Sequence, residues 1–120
     1  MSASVLIVDD SMFMRGILKK LLSPQYNIVG EACDGTEAVK LYEELKPDVL
    51  TMDVVMPNMD GIQATSIITE KHGDAKIIIC TSVGQEEKMK KAINAGAKGY
   101  VMKPFKAAKV LQEIESVLAL

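Results

Sequence analysis

Apolar residues in this chain gather into five short runs, and between the runs the spacing changes to that of helices. Val5-Leu6-Ile7-Val8 and Ile77-Ile78-Ile79-Cys80 are unbroken, which suits strands buried on both faces of a parallel sheet. Val49 to Met52 reads the same way and delivers Asp53 to the point where a buried strand meets solvent. Tyr26 to Ala32 carries Asn27 and Gly30, a composition nearer a sheet edge. Tyr100-Val101-Met102 is a short fifth strand that ends on Lys103-Pro104.

Each run leads into a helical stripe. Ser11 is a candidate cap for a helix whose Met14, Ile17, Leu18 and Leu21 share a buried face, and Pro24 stops it. Asp34 precedes Gly35-Thr36-Glu37, with Glu37 in the capping-box position; Ala38, Leu41, Tyr42 and Leu45 then carry the stripe to Pro47. Asp60 with Gln63 offers a second box, followed by the weaker stripe of Ile62, Ala64, Ile67 and Ile68, which Gly73 ends. Glu86 and Glu87 suit the positive end of a fourth helix dipole, Ala92-Ile93 faces inward, and Gly96 is a C-terminal cap. The last helix buries Ala107, Val110, Leu111, Ile114 and Leu118.

Five strands, each followed by a helix, predict an α/β fold: a flavodoxin-like, doubly wound (βα)5 unit around a five-stranded parallel sheet. Right-handed crossovers favour the strand order 2-1-3-4-5. The first and third strands are then neighbours where the winding reverses, so Asp9, Asp10 and Asp53 share one crevice. Thr81 and Lys103 close it from the fourth and fifth strands.

Composition narrows the function classes. The 120 residues form one domain, 1–120, with no linker or repeat. No apolar run approaches the roughly 18 residues that span a bilayer, and the N-terminus reads as no signal peptide, so a cytoplasmic, monomeric protein without a membrane is expected. A net charge of −2 argues against nucleic acid as a general partner. Cys33 and Cys80 read as reduced core thiols, and the eight methionines as core filler, with Met56 and Met59 shaping the rim of the crevice. The single histidine, His72, falls at the end of the third helix, away from the crevice.

Three converging carboxylates cannot all stay ionised without compensation, and a hard divalent cation supplies it. The same carboxylates disfavour a bare phosphate site. With the Thr81 hydroxyl and the Lys103 ammonium they are the parts for phosphoryl transfer to an aspartate: nucleophile, metal, donor and cation.

The motifs LIVDD at 6–10, MDVVMPNMDG at 52–61, CTS at 80–82 and KPF at 103–105 together resemble the receiver domain of two-component response regulators, over the whole chain. The wording VDDSMFMRGILKKLL and GYVMKPF, with no output domain, is most similar to the chemotaxis members of that family. The resemblance implies Asp53 as phosphoacceptor, Asp10 as a direct Mg²⁺ ligand, Asp9 as a ligand through water and the Val55 carbonyl as a further ligand, with Mn²⁺ as an alternative ion. It implies Thr81 as switch hydroxyl, Lys103 on the phosphoryl group, Tyr100 as aromatic rotamer switch, and a cis Lys103-Pro104 peptide. Implied partners are a histidine kinase of the CheA type, then a bacterial motor switch protein or an archaeal adaptor. Val55 is apolar where many chemotaxis regulators carry a polar residue, and Val83 is apolar as well; neither side chain can hold an attacking water, so slow intrinsic dephosphorylation and a separate phosphatase are expected.

Half of the 14 Lys and Arg residues lie between Gly84 and Val110, against Glu86 and Glu87. Lys88, Lys91, Tyr100 and Lys106 are therefore candidates for a face that binds an acidic partner. The alternatives are a single-domain phosphorelay receiver, or a receiver cut from a longer regulator. A metal-dependent phosphatase using an aspartyl phosphate usually has its nucleophile after the first strand and a second Asp two residues on. This chain has adjacent Asp9-Asp10. An electron carrier would need a phosphate loop and a residue such as Trp to sandwich a flavin; the chain has no Trp.

Overall fold

The computed structural model describes residues 2–120. Its elements alternate from β1 (Ser4–Val8) and α1 (Met12–Leu22) through β2 (Asn27–Ala32), α2 (Gly35–Leu45), β3 (Val49–Asp53) and α3 (Gly61–Lys71). They end with β4 (Ile77–Thr81), α4 (Glu86–Asn94), β5 (Gly99–Met102) and α5 (Ala107–Leu118). The strands pair in parallel in the order β2-β1-β3-β4-β5, as the right-handed crossover rule predicts. No helix among the described residues is long and apolar enough to cross a membrane.

Alternation along the strands divides the core in two. Leu6, Val8, Leu50, Met52, Ile77 and Ile79 point to the side covered by α2, α3 and α4, where they meet Ala38, Tyr42, Ala64, Ile68 and Ala92. Val5, Ile7, Val49, Ile78 and Val101 point the other way, to Leu18 and Leu22 of α1 and to Val110, Ile114 and Val117 of α5. Both faces being covered is why β1, β3 and β4 could be continuous apolar runs. β2 is an edge strand and only half-buried, with Val29 bulged out where the register steps from Val5↔Ile28 to Leu6↔Gly30.

Ser11, Asp34 and Asp60 cap α1, α2 and α3, their side-chain oxygens accepting from the amides of Met14, Glu37 and Gln63 at 3.2, 2.8 and 2.9 Å. The box around α2 stays open: the Glu37 carboxylate faces Cys33 Sγ at 3.7 Å instead of turning back to Asp34. Lys46, left-handed at φ 43°, ends α2, so the stop lies one residue before Pro47. Gly96, at φ 125°, closes α4 as expected.

Some expected core positions face solvent. Ile17, Leu45 and Ile67 lie at the margins of their stripes and are exposed, as is Ala107; Leu22 and Val117 are buried in addition to the expected residues. Cys80 is a buried core thiol, its pKa raised by burial, but Cys33 is exposed on the loop after β2. There the Glu37 charge raises its thiol pKa. Both cysteines are free. Met56 is buried in the core on the α2 side rather than at the crevice rim, and Met59 packs partly buried against that core.

Candidate functional site

Register is what builds the site. Val8 pairs with Met52, so the next residues, Asp9 and Asp53, emerge side by side at the carboxyl edge of the sheet. This is the crevice at the topological switch point. Gly61 lets the start of α3 sit against β3: a Cβ there would collide with the Asp53 carbonyl and come within 2.9 Å of Val54 Cα. The Gly61 amide donates to the Val54 carbonyl at 2.9 Å, which fixes the loop between them.

Asp9 is 1% exposed and Asp53 8%, while Asp10 is exposed. One oxygen from each carboxylate lies within 4.8 Å of the others. Lys103, delivered by the end of β5 and held by its amide on the Thr81 carbonyl at 2.6 Å, bridges two of them. Its Nζ donates to Asp9 Oδ2 at 2.8 Å and to Asp53 Oδ2 at 3.2 Å. The other Asp9 oxygen accepts from the Ser11 amide at 2.9 Å. The Lys103-Pro104 peptide is cis, as the resemblance implied.

Burial pushes the Asp53 carboxyl above the ordinary range; Lys103 opposes that shift and the charges of Asp9 and Asp10 add to it. Burial also works against the Lys103 charge, but the hydrogen bond to Asp9 and the charges of Asp53 and Asp9 outweigh it and hold the ammonium above its usual value. Three carboxylates against one ammonium leave two negative charges uncompensated. An all-oxygen donor set with that deficit fits a hard divalent cation such as Mg²⁺.

The remaining expected residues are less closely joined. Thr81 is buried at the end of β4, but its hydroxyl is turned to Gln85 Oε1, at a long 3.5 Å, rather than to the carboxylates. Gln85 Oε1 also accepts from the amide and hydroxyl of Ser82 at 3.2 and 3.1 Å. Tyr100 projects outward from β5, 44% exposed. Val55 is exposed beside the site, and Val83 is 85% exposed. Tyr100 and Lys106 line a groove of about 640 Å³ with Val83, Met102, Lys109 and Glu113; Lys88 and Lys91, exposed on α4, do not. His72 stands away from the crevice, its Nε2 2.7 Å from Glu43 Oε1.

Three residues that support this constellation, Glu31 only through Arg15, carry no pattern along the chain. Arg15 reaches the Asp9 carbonyl, Glu31 holds Arg15, and Gln85 gathers the Thr81 and Ser82 hydroxyls at the end of β4. The one signal open to sequence was a glutamate inside an otherwise weakly polar edge strand.

Residues 5–115 match the family described as the response regulator receiver domain. The chain is 53% identical over 118 residues to the chemotaxis protein CheY of Halobacterium salinarum, covering 98% of each. It is 46% identical over 118 residues to CheY of Thermotoga maritima, again covering 98% of each. Among solved structures, the CheX-CheY-BeF3-Mg complex from Borrelia burgdorferi superposes with a TM-score of 0.89 at 41% identity, covering 96% of this chain and 88% of that one. A match over nearly the whole length, on a sheet with this strand order, leaves one assignment: the chain belongs to the response regulator receiver family, as a CheY-like receiver domain of a two-component system.

Proposed function

We propose that Asp53 accepts a phosphoryl group from a phosphohistidine of a CheA-type histidine kinase, and that the acylphosphate switches binding to the motility machinery in chemotaxis. The observation that carries this reading is the Lys103 bridge between Asp53 and Asp9 at the β1/β3 crevice. In the transfer, an Asp53 oxygen attacks phosphorus as the P–N bond breaks, and the departing imidazole keeps the electron pair. Lys103 already holds Asp53 Oδ2, so its ammonium is poised to follow charge onto the phosphoryl oxygens. Asp9, Asp10, Asp53 and the Val55 carbonyl would hold Mg²⁺, or Mn²⁺ in its place. When bound, the ion neutralises charge on the transferring group. The domain is a phosphoacceptor that assists its own modification and not an enzyme with a separate substrate.

Thr81 is the residue that responds. Drawing its hydroxyl toward a phosphoryl group on Asp53 costs the contact with Gln85 and frees the start of α4. Tyr100 follows, biasing the face of α4, β5 and α5 toward a partner with an acidic segment. Lys106 and Tyr100 sit in the groove there, and Lys88 and Lys91 add charge beside it. The partner is a flagellar motor switch protein or an archaeal adaptor.

A small phosphodonor such as acetyl phosphate should label wild type in the presence of Mg²⁺ and leave Asp53→Asn unlabelled. Labelling of that variant, read by Phos-tag mobility or mass, overturns the assignment. Val55 can neither donate nor accept through its side chain, so it cannot hold an attacking water. Val55→Asn should shorten the phosphoryl lifetime several-fold after donor removal, and equal lifetimes would remove side-chain water positioning as the control.

A further inference from the structure

Arg15 lies one turn into α1, and its side chain is only 15% exposed. Its Nη1 donates to the Asp9 main-chain carbonyl at 2.7 Å and its Nε donates to Glu31 Oε1 at 3.1 Å. Glu31 stands on β2 opposite Ile7, and its second oxygen accepts from Lys19 Nζ at 3.3 Å. The Asp9 amide meanwhile donates to the Ala32 carbonyl at 3.0 Å. Every polar group of Asp9 is therefore held: amide to the last residue of β2, carbonyl to α1, one carboxylate oxygen to Ser11 and the other to Lys103.

The need for such a grip follows from covalent geometry. Successive side chains of a continuing strand point to opposite faces, yet the Asp9 and Asp10 carboxylates both come within 4.8 Å of a common partner, Asp53. The chain must turn out of the strand at Asp9, and its carbonyl then leaves the ladder inside a nearly buried residue. Such a carbonyl needs a donor. A guanidinium suits the place because one nitrogen can serve the carbonyl while another is fixed by a carboxylate. A lysine offers a single mobile ammonium instead.

We propose that Arg15 is a positioning residue of the acidic cluster: held by Glu31, its guanidinium locks the Asp9 carbonyl and so sets the angle at which the Asp9 and Asp10 carboxylates meet Asp53. The inference rests on reading the cluster as a divalent cation site. Groups that orient metal ligands from outside typically change metal affinity 10- to 100-fold when removed, roughly the size expected here.

The test is Mn²⁺ binding to the whole chain, followed by electron paramagnetic resonance, with thermal melts in EDTA alongside. Arg15→Ala should bind Mn²⁺ about 10- to 100-fold more weakly. Arg15→Lys should recover little of that loss, because it keeps charge but not the fork. Glu31→Gln should weaken binding less, and Glu31→Gln added to Arg15→Ala should cost nothing further, since the two act as one unit. Lys19→Ala, which removes a charge from the same surface but no contact to Asp9, should bind as wild type does. If Arg15→Ala folds poorly, Arg15→Lys and Glu31→Gln carry the comparison. Wild-type affinity in Arg15→Lys and Glu31→Gln, whatever their melting points, overturns the proposal. Wild type that fails to bind Mn²⁺, or an Asp10→Asn variant that binds it equally well, would instead overturn the cation-site reading beneath it.

Discussion

The carboxyl ends of β1 and β3 and the segment from β4 into α4 lie on the same edge of one sheet, yet they are held very differently. At the first, Asp9 is fixed at its amide, carbonyl and carboxylate, and Gly61 packs the start of α3 onto the Asp53 backbone. At the second, Val83 is almost fully exposed and Gly84 is left-handed at φ 95° with open space around it. The first residue of α4 follows Gln85, whose side chain caps no helix amide, and α4 buries only Ala92. The converging carboxylates sit where the backbone is pinned. The part with little to lose by moving is the part that carries the Gln85 contact to Thr81. Regions with few buried contacts open at low free-energy cost, which is what a switching element requires.

Substituting the two glycines should separate these regions most clearly. Gly61→Ala forces a methyl group into the Asp53 carbonyl, an overpacking expected to cost about 1–3 kcal/mol in urea unfolding and to weaken divalent-ion binding with it. Gly84→Ala meets no neighbour and pays only for its left-handed backbone, about 1 kcal/mol. Its ion affinity should stay at the wild-type value. Similar loss of ion binding in both variants would erase the contrast.

Asp53 sharpens the comparison from the electrostatic side. Its folded pKa lies above the ordinary 3.8 because the site is buried and shared with Asp9 and Asp10. The folded state thus holds this proton more tightly than the unfolded chain. Its contribution is fully present below pH 3.8 and is lost as pH rises through the folded pKa. At neutral pH the ionised carboxylate burdens the fold. Asp53→Asn keeps the shape and Lys103 keeps Asp9, so the variant should melt a few degrees higher than wild type in EDTA at pH 7. The gap should shrink as pH is lowered toward 3.8, and a variant that melts lower at pH 7 would contradict the burden.

The smallest effect is expected at Gln85. Gln85→Ala should change global stability by under about 1 kcal/mol, the scale of a lost part-buried hydrogen bond. Amide hydrogen exchange at the start of α4 should nevertheless quicken, while exchange in β3 stays as it was. Unchanged exchange in α4 would show that Gln85 does not hold that segment.

How far sequence reached depended on whether a residue's role was written along the chain or across it. The strands, their order and the meeting of Asp9, Asp10, Asp53 and Lys103 were legible, because unbroken apolar runs ending on polar residues fix both element and edge. The helix margins were less so. Ile17, Leu45 and Ile67 keep the correct spacing, but a stripe's outer positions rotate clear of a sheet that a short helix covers only along its centre. Cys33 looked like core because Val29 and Ala32 precede it, whereas the strand has already ended. Arg15 and Glu31 stand 16 residues apart on a helix and an edge strand. Only the placement of β2 beside β1 lets them meet, and no local period records it.

The two bonds of Lys103 span 94 residues to Asp9 and 50 to Asp53. During synthesis all three carboxylates would therefore be made long before their counter-charge left the ribosome. Loop closure over such separations is an entropic cost that only the finished sheet repays. A chain still missing β5 holds three crowded carboxylates with no ammonium between them. Placing the cation just past the last strand makes completion of the acidic edge a report that the sheet is closed.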